Sequence, residues 1–489
     1  MPIKRYFLLF LASLFALSWI AKDATAQQDT EPIEALMITG GGPWHDYYTQ
    51  KKQIKKGLVD RIGNINVTID HEGGESTDFK FSRHQNDDWA ENFDVVIYNQ
   101  CNLFLKDGEH VESIMEAHVE HQVPALMLHC PMHVYQNATK KWFDFTGAVS
   151  YVHERDRTPF TVEAAEPNHS IMANFPESWR TPKGELYLVS SLKENATPLA
   201  RAYSDEAGEY TPVVWTHTYK GVRVFSNSLG HHNVTMGSDV NLNLVAAGLL
   251  WTTENLQADG TPAPGYSGDR GLGWISLWNA EDFGETLNGW RASESTDWAN
   301  MDWFDGDAVW PTVHNTGTES FQLTHNEVDH NTIVVDGPES YLYYQGRVNG
   351  GAFKNFEFKT EVYTHPEANS GVLFHTRPKD EGVPTYGFEA DINTVENDAH
   401  RTGGLNPGDQ EPESLSHPVH QYFDYYLSVD GQQVTVKVDG DTVNEYRLPD
   451  IKQGRPTLDR GTVALQATGS EGRVYFRDLM IRTWPDENK

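Results

Sequence analysis

The stretch PALMLHCPMH (124–133) joins an uninterrupted apolar run to a polar ending, and it decides the fold of the first half of the chain. A continuous apolar run is typical of a strand that is buried on both faces of a parallel sheet. ALMITGG (35–41) and FDVVIYNQC (93–101) have the same character, and helix-compatible segments follow at 50–62 and 108–121. This alternation predicts an α/β domain with a parallel sheet covered by helices.

Cys130 stands directly after the apolar run, where a nucleophile on a sharp strand-to-helix turn would stand. Such a nucleophile needs small neighbours that donate backbone N–H groups, but Cys130 lies between His129 and Pro131, and proline has no N–H. The sequence therefore predicts a small buried residue rather than a nucleophile. Cys101 is the only other cysteine. Because each follows its own predicted strand, we expect two buried free thiols.

Several further polar residues follow predicted strand ends, where ligands bind to parallel sheets. The candidates for a substrate-binding cleft are Trp44, His45, Asp46, His129, His133, His217, His231 and His232. Imidazoles that converge in one cleft bind a divalent metal or act as acid and base. His45, His129 and His231 are the candidate metal ligands. The spacing leaves open whether a metal binds and whether these histidines only cap separate strand ends.

The motifs GGGPWHDY (40–47), LMLHC (126–130) and VVWTHTYKGVRVFSNSLGHHNVT (213–235) resemble the ThuA family, the trehalose-utilization proteins, over residues 33–255. The resemblance implies a flavodoxin-like fold similar to that of class I glutamine amidotransferases, without their cysteine elbow. It also implies a role in sugar metabolism. The residues that match the polar cleft of the family are His45, His129, His217 and His231.

The pattern of apolar residues changes after LQADGTPAPGYSGDRG (256–271). This segment is rich in Gly, Pro, Ser and Asp, and we interpret it as a linker. Beyond it, strands with period-two alternation are separated by short turns that contain Gly, Asn or Asp. This pattern predicts an all-β jelly-roll sandwich over residues 272–485.

The motifs ANSGVLFHTR (368–377), YGFEADIN (386–393) and GTVALQATG (461–469) resemble the 3-keto-disaccharide hydrolase family in the order in which they occur. The resemblance implies a concanavalin-like fold, in agreement with the strand pattern. It also implies hydrolysis or elimination at an oxidised sugar. Gln466 matches the Leu-Gln pair of the family.

Alternation in these motifs directs His375 and Arg377 to one face of a sheet, and it directs Glu389 and Asp391 to a common face. We expect Arg377 to lie beside Glu389, to lower the pKa of that carboxyl and to keep it ionised. In a 3-keto sugar the ketone acidifies the C2 hydrogen, so removal of this proton expels the C1 substituent. Glu389 is the candidate base, with Asp391 next, Arg377 the enolate stabiliser and His375 the acid.

The first interpretation is therefore an exported carbohydrate-active enzyme that cleaves glycosidic bonds of 3-keto disaccharides or oligosaccharides. Two alternatives remain open, namely a lyase or dehydratase acting on uronate-ended oligosaccharides and a non-catalytic carbohydrate-binding protein. A divalent metal is the only candidate cofactor. The formal net charge of −32 argues against nucleic acid and anionic membranes as partners.

The N-terminal segment 1–26 has a basic start at Lys4 and Arg5, an apolar stretch and the small-residue ending Ala24-Thr25-Ala26. This arrangement predicts a secretory signal peptide that is cleaved before Gln27. We therefore expect the mature protein in the periplasm or the medium.

Overall fold

The computed structural model describes residues 30–277, 290–293, 310–315, 318–324, 332–335, 339–396, 398, 401–406, 419–448, 459–468 and 472–484. The predicted signal segment 1–26 lies outside these residues. Among the described residues, none of the helices combines the length and the apolar character that a bilayer crossing requires.

The first part of the chain is an α/β domain, which confirms the predicted class. Its strands are β1 (Ile33–Gly40), β2 (Ile65–His71), β3 (Val95–Gln100), β4 (Ala125–Leu128), β5 (Ala148–His153), β6 (Thr161–Ala164), β7 (Ser178–Arg180), β8 (Tyr187–Leu192), β9 (Thr197–Ser204), β10 (Glu209–Tyr219) and β11 (Val222–Asn227). Its helices are α1 (Tyr47–Ile62), α2 (Gly108–His121), α3 (Trp142–Thr146), α4 (Asn233–Met236) and α5 (Asp239–Thr252).

Nine of these strands form one sheet in the order β2-β1-β3-β4-β11-β10-β9-β6-β7. The pairs from β2 to β11 are parallel, and the pairs from β11 to β7 are antiparallel. The sheet is therefore mixed, because the short turn at Lys220 and Gly221 reverses the chain between β10 and β11. The carboxyl ends of β1, β3, β4 and β11 lie along one edge.

The two cysteines form a disulfide, so the prediction of two free thiols was wrong. Strands β3 and β4 are parallel neighbours, and each cysteine follows the end of its strand. This register leaves the Cα atoms of Cys101 and Cys130 only 5.4 Å apart, within the range that a disulfide spans. Sequence spacing did not reveal this neighbourhood because the two cysteines are far apart along the chain, at a sequence separation of 29.

The segment 256–271 packs against the first domain. The Tyr266 hydroxyl donates to the Glu31 carbonyl over 3.0 Å, and the Gly268 N–H donates to the Arg61 carbonyl over 3.0 Å. The segment therefore holds a fixed place beside α1 although it lacks apolar periodicity.

The second part of the chain contains only strands and one short 3₁₀ turn among the residues that the structure describes. Its strands are β12 (Ile275–Ser276), β13 (Trp290–Ala292), β14 (Trp310–Asn315), β15 (Thr318–Thr324), β16 (Thr332–Val335), β17 (Ser340–Tyr344), β18 (Phe356–Thr364), β19 (Asn369–Thr376), β20 (Phe388–Asn393), β21 (Leu405–Asn406), β22 (Tyr422–Asp430), β23 (Gln433–Val438), β24 (Asp441–Arg447), β25 (Thr462–Ala467) and β26 (Val474–Thr483).

These strands form two antiparallel sheets, which confirms the predicted sandwich. One sheet has the order β14-β15-β16-β26-β18-β22-β23-β24, with β12 paired to β26, and the other has the order β13-β17-β25-β19-β20-β21. Alternate residues of each strand, such as Phe356 and Phe358 on β18 and Val372 and Phe374 on β19, fill the core between the sheets. The opposite face of the six-stranded sheet is consequently free to carry polar groups.

The two domains touch along β7. Trp179 forms an isolated β-bridge with Val348, and the Ser178 N–H donates to Asn349 Oδ1 over 3.2 Å. Glu177 and Arg460 form an ion pair of 2.7 Å across the same boundary.

Candidate functional site

Three histidines and one glutamate converge beyond the carboxyl ends of the parallel strands. The four donor atoms, His45 Nε2, His129 Nε2, His231 Nδ1 and Glu185 Oε2, belong to a group whose ligand atoms lie within 4.8 Å of one another. The distances are 3.1 Å between His45 Nε2 and His231 Nδ1, 3.2 Å between His231 Nδ1 and Glu185 Oε2, and 3.1 Å between His129 Nε2 and Glu185 Oε2. We call these four residues the His₃Glu cluster.

His129 enters the cluster through a sharp turn at the end of β4. Its φ of 63° is unusual for a residue other than glycine, and the chain continues directly into the 3₁₀ turn Cys130–Met132. Its Nδ1 lies 2.7 Å from the Ser228 carbonyl oxygen. A carbonyl oxygen only accepts, so Nδ1 carries the proton and donates it, which directs Nε2 into the cluster.

Glu185 is the one carboxylate of the cluster, and side-chain nitrogen atoms surround it. Besides His129 and His231, Arg157 Nε donates to Oε1 over 2.7 Å, and His153 Nε2 lies 3.5 Å from Oε1. Burial alone would raise the pKa of Glu185, but the hydrogen bonds and charges of His129 and His231 outweigh it and hold the pKa below its usual range. The carboxylate is therefore ionised at neutral pH.

The cluster opens into a pocket of about 140 Å³. Trp44, which is 42% exposed, Arg157 and the disulfide form part of its wall. Burial, followed by the proximity of His129 and His231, lowers the pKa of His45 to about 2, so this imidazole is neutral at physiological pH.

Two of the remaining candidate histidines lie beside the cluster without joining it. The ring of His133 stacks on Tyr187 with centroids 3.7 Å apart, and its Nε2 lies 2.9 Å from Ser150 Oγ. The ring of His232 lies 4.6 Å from that of His231, and His232 precedes α4 as its N-cap residue. Burial is the main cause that lowers the pKa of His133 to about 3 and that of His232 to about 4.

Two predicted cleft residues lie elsewhere. His217 is level with Val224, which pairs with Ala125 at the start of β4, so it stands near the amino end of the parallel strands. Its Nε2 contacts the Asp144 carbonyl at 3.1 Å. The prediction failed because β10 runs antiparallel to β11. Asp46 caps α1 by accepting from the Thr49 N–H over 3.1 Å, and the pocket does not include it.

The second candidate site lies on the outward face of the six-stranded sheet. Tyr341 pairs with Gln466 and Leu373 pairs with Glu389 across neighbouring strands, while Tyr341, Tyr343 and Leu373 pack together. We call the face that carries these five side chains the polar face.

Glu389 projects from β20 over Gly371 of β19. A Cβ on Gly371 would lie only 2.4 Å from Glu389 Oε1, so the glycine makes room for the carboxyl group. Oε1 is enclosed and has no hydrogen-bond partner among the described residues. Burial, and then the charge of Glu339, raise the pKa of Glu389 to about 7. This carboxyl group is therefore ready to exchange a proton near neutral pH.

Glu389 does not have the arginine that we expected beside it. Arg377 is exposed, and its guanidinium carbon lies 5.3 Å from the centre of the Tyr386 ring. The predicted lowering of the Glu389 pKa was consequently wrong, because burial raises that pKa and no arginine is among the causes of the shift.

The expected place of His375 was wrong as well. The register between β19 and β25 shifts between Leu373 and Thr376, and His375 has a φ of 50°. This bulge breaks the alternation, so the ring lies 6.1 Å from that of the core residue Phe356. Its Nε2 contacts the Lys354 carbonyl oxygen at 2.9 Å.

Gln466 lies on the polar face, and its Nε2 donates to Tyr341 Oη over 3.4 Å. The Tyr341 hydroxyl donates in turn to Glu339 Oε1 over 3.0 Å. Asp391 is buried one alternation step from Glu389 and pairs with Gly371. Its backbone carbonyl accepts from the Tyr425 hydroxyl over 3.2 Å.

The sequence interpretation missed Glu185, Arg157 and Tyr187 in the first site and Tyr341 and Glu339 in the second. A glutamate before the apolar segment LYLV (186–189) was a weak signal for Glu185. The alternating segment ESYLYY (339–344) offered a clearer signal for the polar face.

Two family models match the chain. Residues 37–252 match the trehalose utilisation family ThuA, and residues 273–482 match the 3-keto-alpha-glucoside-1,2-lyase-like domain. Both suspected resemblances are thereby confirmed. No curated protein matches the chain.

Three solved structures with detectable likeness each cover less than half of the chain. A ThuA-like protein from Parabacteroides merdae is 19% identical over 49% of this chain and 99% of its own, with a TM-score of 0.38. A protein assigned as a glycosyl hydrolase from Parabacteroides distasonis is 16% identical over 43% of this chain and 94% of its own, with a TM-score of 0.31. The carbohydrate-binding module CBM66 from Bacillus subtilis is 12% identical over 40% and 96%, with a TM-score of 0.22. Such low identities and TM-scores do not establish a shared activity.

Proposed function

Because the chain joins a ThuA domain to a 3-keto-alpha-glucoside-1,2-lyase-like domain, we propose that it is a carbohydrate-active enzyme that cleaves glycosidic bonds of 3-keto disaccharides or oligosaccharides by elimination. Cleavage takes place on the polar face of the second domain. The observation that carries this proposal is the Glu389 carboxyl group, whose Oε1 is enclosed without a hydrogen-bond partner among the described residues and whose pKa is raised to about 7.

The reaction requires one base rather than two opposed carboxyl groups. Glu389 takes the C2 proton, and the electron pair of the broken C–H bond forms the enolate of the C3 ketone. When the enolate collapses, the C3 carbonyl re-forms, a C1–C2 double bond forms, and the bond between C1 and the glycosidic oxygen breaks. The leaving oxygen takes up a proton from an acid or from water.

The donors on the polar face suit the enolate that this reaction forms. The Tyr341 hydroxyl and the Gln466 amide lie on the same face as Glu389, and burial raises the pKa of Tyr341 above its usual value. The hydroxyl therefore stays protonated, and it must exchange its hydrogen bond to Glu339 Oε1 for one to the enolate oxygen. Hydrogen bonds to a developing oxyanion in an enclosed site are a large source of rate acceleration.

We also propose that the enzyme is exported to the periplasm or the medium. The signal-like segment 1–26 supports this location. The disulfide between Cys101 and Cys130 supports it as well, because disulfides persist mainly in oxidising compartments. The first domain then serves a second sugar-modifying step or shares a cleft with the second.

The test is the rate at which the Glu389→Gln variant releases the aglycone from a 3-keto glucoside. The variant keeps the shape of the side chain and removes the proton acceptor, so we expect turnover to fall by about two to four orders of magnitude while binding persists. The matched control is Glu445→Gln, which changes an exposed carboxyl group on β24 of the other sheet and should leave turnover near that of the wild type.

A substrate with deuterium at C2 separates elimination from hydrolysis. Elimination predicts slower release of the aglycone, an unsaturated sugar product and no cleavage of the unoxidised glucoside. Near-normal turnover by Glu389→Gln would remove Glu389 as the base. Equal cleavage of oxidised and unoxidised glucosides would refute the elimination.

A further inference from the structure

The His₃Glu cluster has the composition and the spacing of a transition-metal site. Four ligands at about 2.0–2.1 Å from a tetrahedral zinc ion lie about 3.3–3.4 Å from one another. Three of the distances between donor atoms in the cluster are 3.1, 3.2 and 3.1 Å. The spacing of the donor atoms is thus already close to that of the ligands around a tetrahedral ion.

The second layer of contacts orients the ligands. The Ser228 carbonyl fixes a proton of His129 on Nδ1, so Nε2 faces Glu185 Oε2 at 3.1 Å and the Tyr187 hydroxyl at 3.2 Å. His45 Nδ1 lies 3.1 Å from the Tyr47 hydroxyl, so a proton donated to that oxygen leaves Nε2 as a ligand. Carbonyl and hydroxyl partners of this kind accompany metal-binding histidines in proteins.

The electrostatic arrangement also calls for a positive charge between the four atoms. Without a second proton on His129, its Nε2 and the carboxylate oxygen of Glu185 face each other at 3.1 Å as two acceptors, and this contact is repulsive unless a cation lies between them. A proton on His129 serves only this pair. One divalent ion serves all four donor atoms at once.

We propose that His45, His129, Glu185 and His231 bind one divalent transition-metal ion of the zinc type. Three imidazoles and a carboxylate suit zinc and its first-row neighbours better than magnesium or calcium, which prefer oxygen ligands. The cysteines near His45 do not contribute, because their sulfur atoms form the disulfide. The pocket on the open side admits water or an oxygen of a ligand to a further coordination position.

The proposal is independent of the reaction assigned to the second domain, and its test is metal binding by the full chain. The protein, freed of any purification tag and of metal, is titrated with Zn²⁺ alone by calorimetry, and the bound zinc is then counted by elemental analysis. We expect saturable binding of about one ion per chain. Co²⁺ at the same site should give the strong visible absorption of a tetrahedral or five-coordinate ion.

Two ligand variants and one neighbouring variant locate the site. Glu185→Gln and His231→Ala should each weaken Zn²⁺ binding at least about tenfold, since even the partners of ligands are worth about 10–100-fold in affinity. His232→Ala is the matched control, because its ring lies beside His231 but is not part of the cluster. This control should bind Zn²⁺ like the wild type.

Two results would overturn the proposal. One is a wild-type chain that binds no Zn²⁺ at micromolar concentration, which would leave a protonated His129 as the partner of Glu185. The other is unchanged binding in both ligand variants. Should a variant fail to fold, as judged by circular dichroism, the Co²⁺ spectrum of the wild type still decides, since a weak octahedral spectrum contradicts the predicted ligand set.

Discussion

The two candidate sites each contain one central glutamate, but the surroundings of these residues are opposite. Glu185 of the first domain contacts His129, His231, His153 and Arg157, and its pKa is held below the usual range. Glu389 of the second domain is enclosed without such a cation, and its pKa is raised to about 7. The same side chain is a permanent anion in one domain and a proton acceptor near neutral pH in the other.

This contrast shows that environment rather than residue type assigns the role of a carboxyl group. Imidazoles and an arginine around Glu185 suit a ligand that must stay charged. Burial beside Leu373 and Gly371 suits a base that must gain and lose a proton. The contrast also predicts that removing the charge from the two glutamates changes the stability of the protein in opposite directions.

The Glu389→Gln variant should be more stable than the wild type at pH 8. The folded-state pKa of about 7 lies above the ordinary value of 4.5, so the folded chain binds an extra proton between these values, and stability falls as pH rises through this window. The loss totals about 3 kcal/mol, at about 1.4 kcal/mol per pH unit. Thermal unfolding should therefore show a higher Tm for the variant at pH 8 and none of this gain at pH 4.

The Glu185→Gln variant provides the other half of the comparison. It removes charge-assisted hydrogen bonds from Arg157 and the cluster histidines, each worth about 1.5–3 kcal/mol, so the Tm at pH 8 should fall. A rise of Tm in both variants would mean that the negative charge of each carboxylate destabilises the folded protein. The contrast between the sites would then be wrong.

The Gly371→Ala variant tests whether the position of the Glu389 carboxyl group matters apart from its charge. The new methyl group would lie 2.4 Å from Glu389 Oε1, so the carboxyl group must move. A displacement of about 1 Å costs roughly a hundredfold in rate, and we expect this loss in turnover of a 3-keto glucoside.

The control for this variant is Gly208→Ala in the first domain, where an added methyl group meets nothing within 4 Å and only the φ of 73° strains the backbone. It should keep normal turnover. Normal turnover of Gly371→Ala, together with a wild-type Tm, would show that the carboxyl group has no required position.

Features of the fold that depend on the residues of a single strand could be predicted from the sequence. The apolar runs that became β1, β3 and β4 gave the parallel part of the sheet, and the ends of these strands gave His45 and His129. Period-two alternation gave the sandwich and the place of Glu389 on its outward face. In each case the periodicity of a single element determined where the side chain points.

Properties that depend on neighbouring strands could not be predicted in this way. The disulfide required the knowledge that β3 and β4 are adjacent, and the exclusion of His217 required the direction of β10. The inward turn of His375 arises from a bulge that no alternation rule anticipates. Glu185 was missed because it reaches the cluster from the start of a separate two-stranded sheet, β5-β8.

Arg377→Gln should have the smallest effect of these changes. The guanidinium group is exposed and lies over the Tyr386 ring, and it does not contribute to the pKa of Glu389. An exposed cation–π contact is worth about 0.5–1 kcal/mol, so its loss should leave turnover of a 3-keto glucoside within about a few-fold of wild type. The pH at which turnover is half-maximal should be the same as in the wild type, because the pKa of Glu389 determines it. A hundredfold loss of turnover, or a shift of this pH midpoint, would return Arg377 to the role of enolate partner and would show that substrate binding draws it onto the polar face.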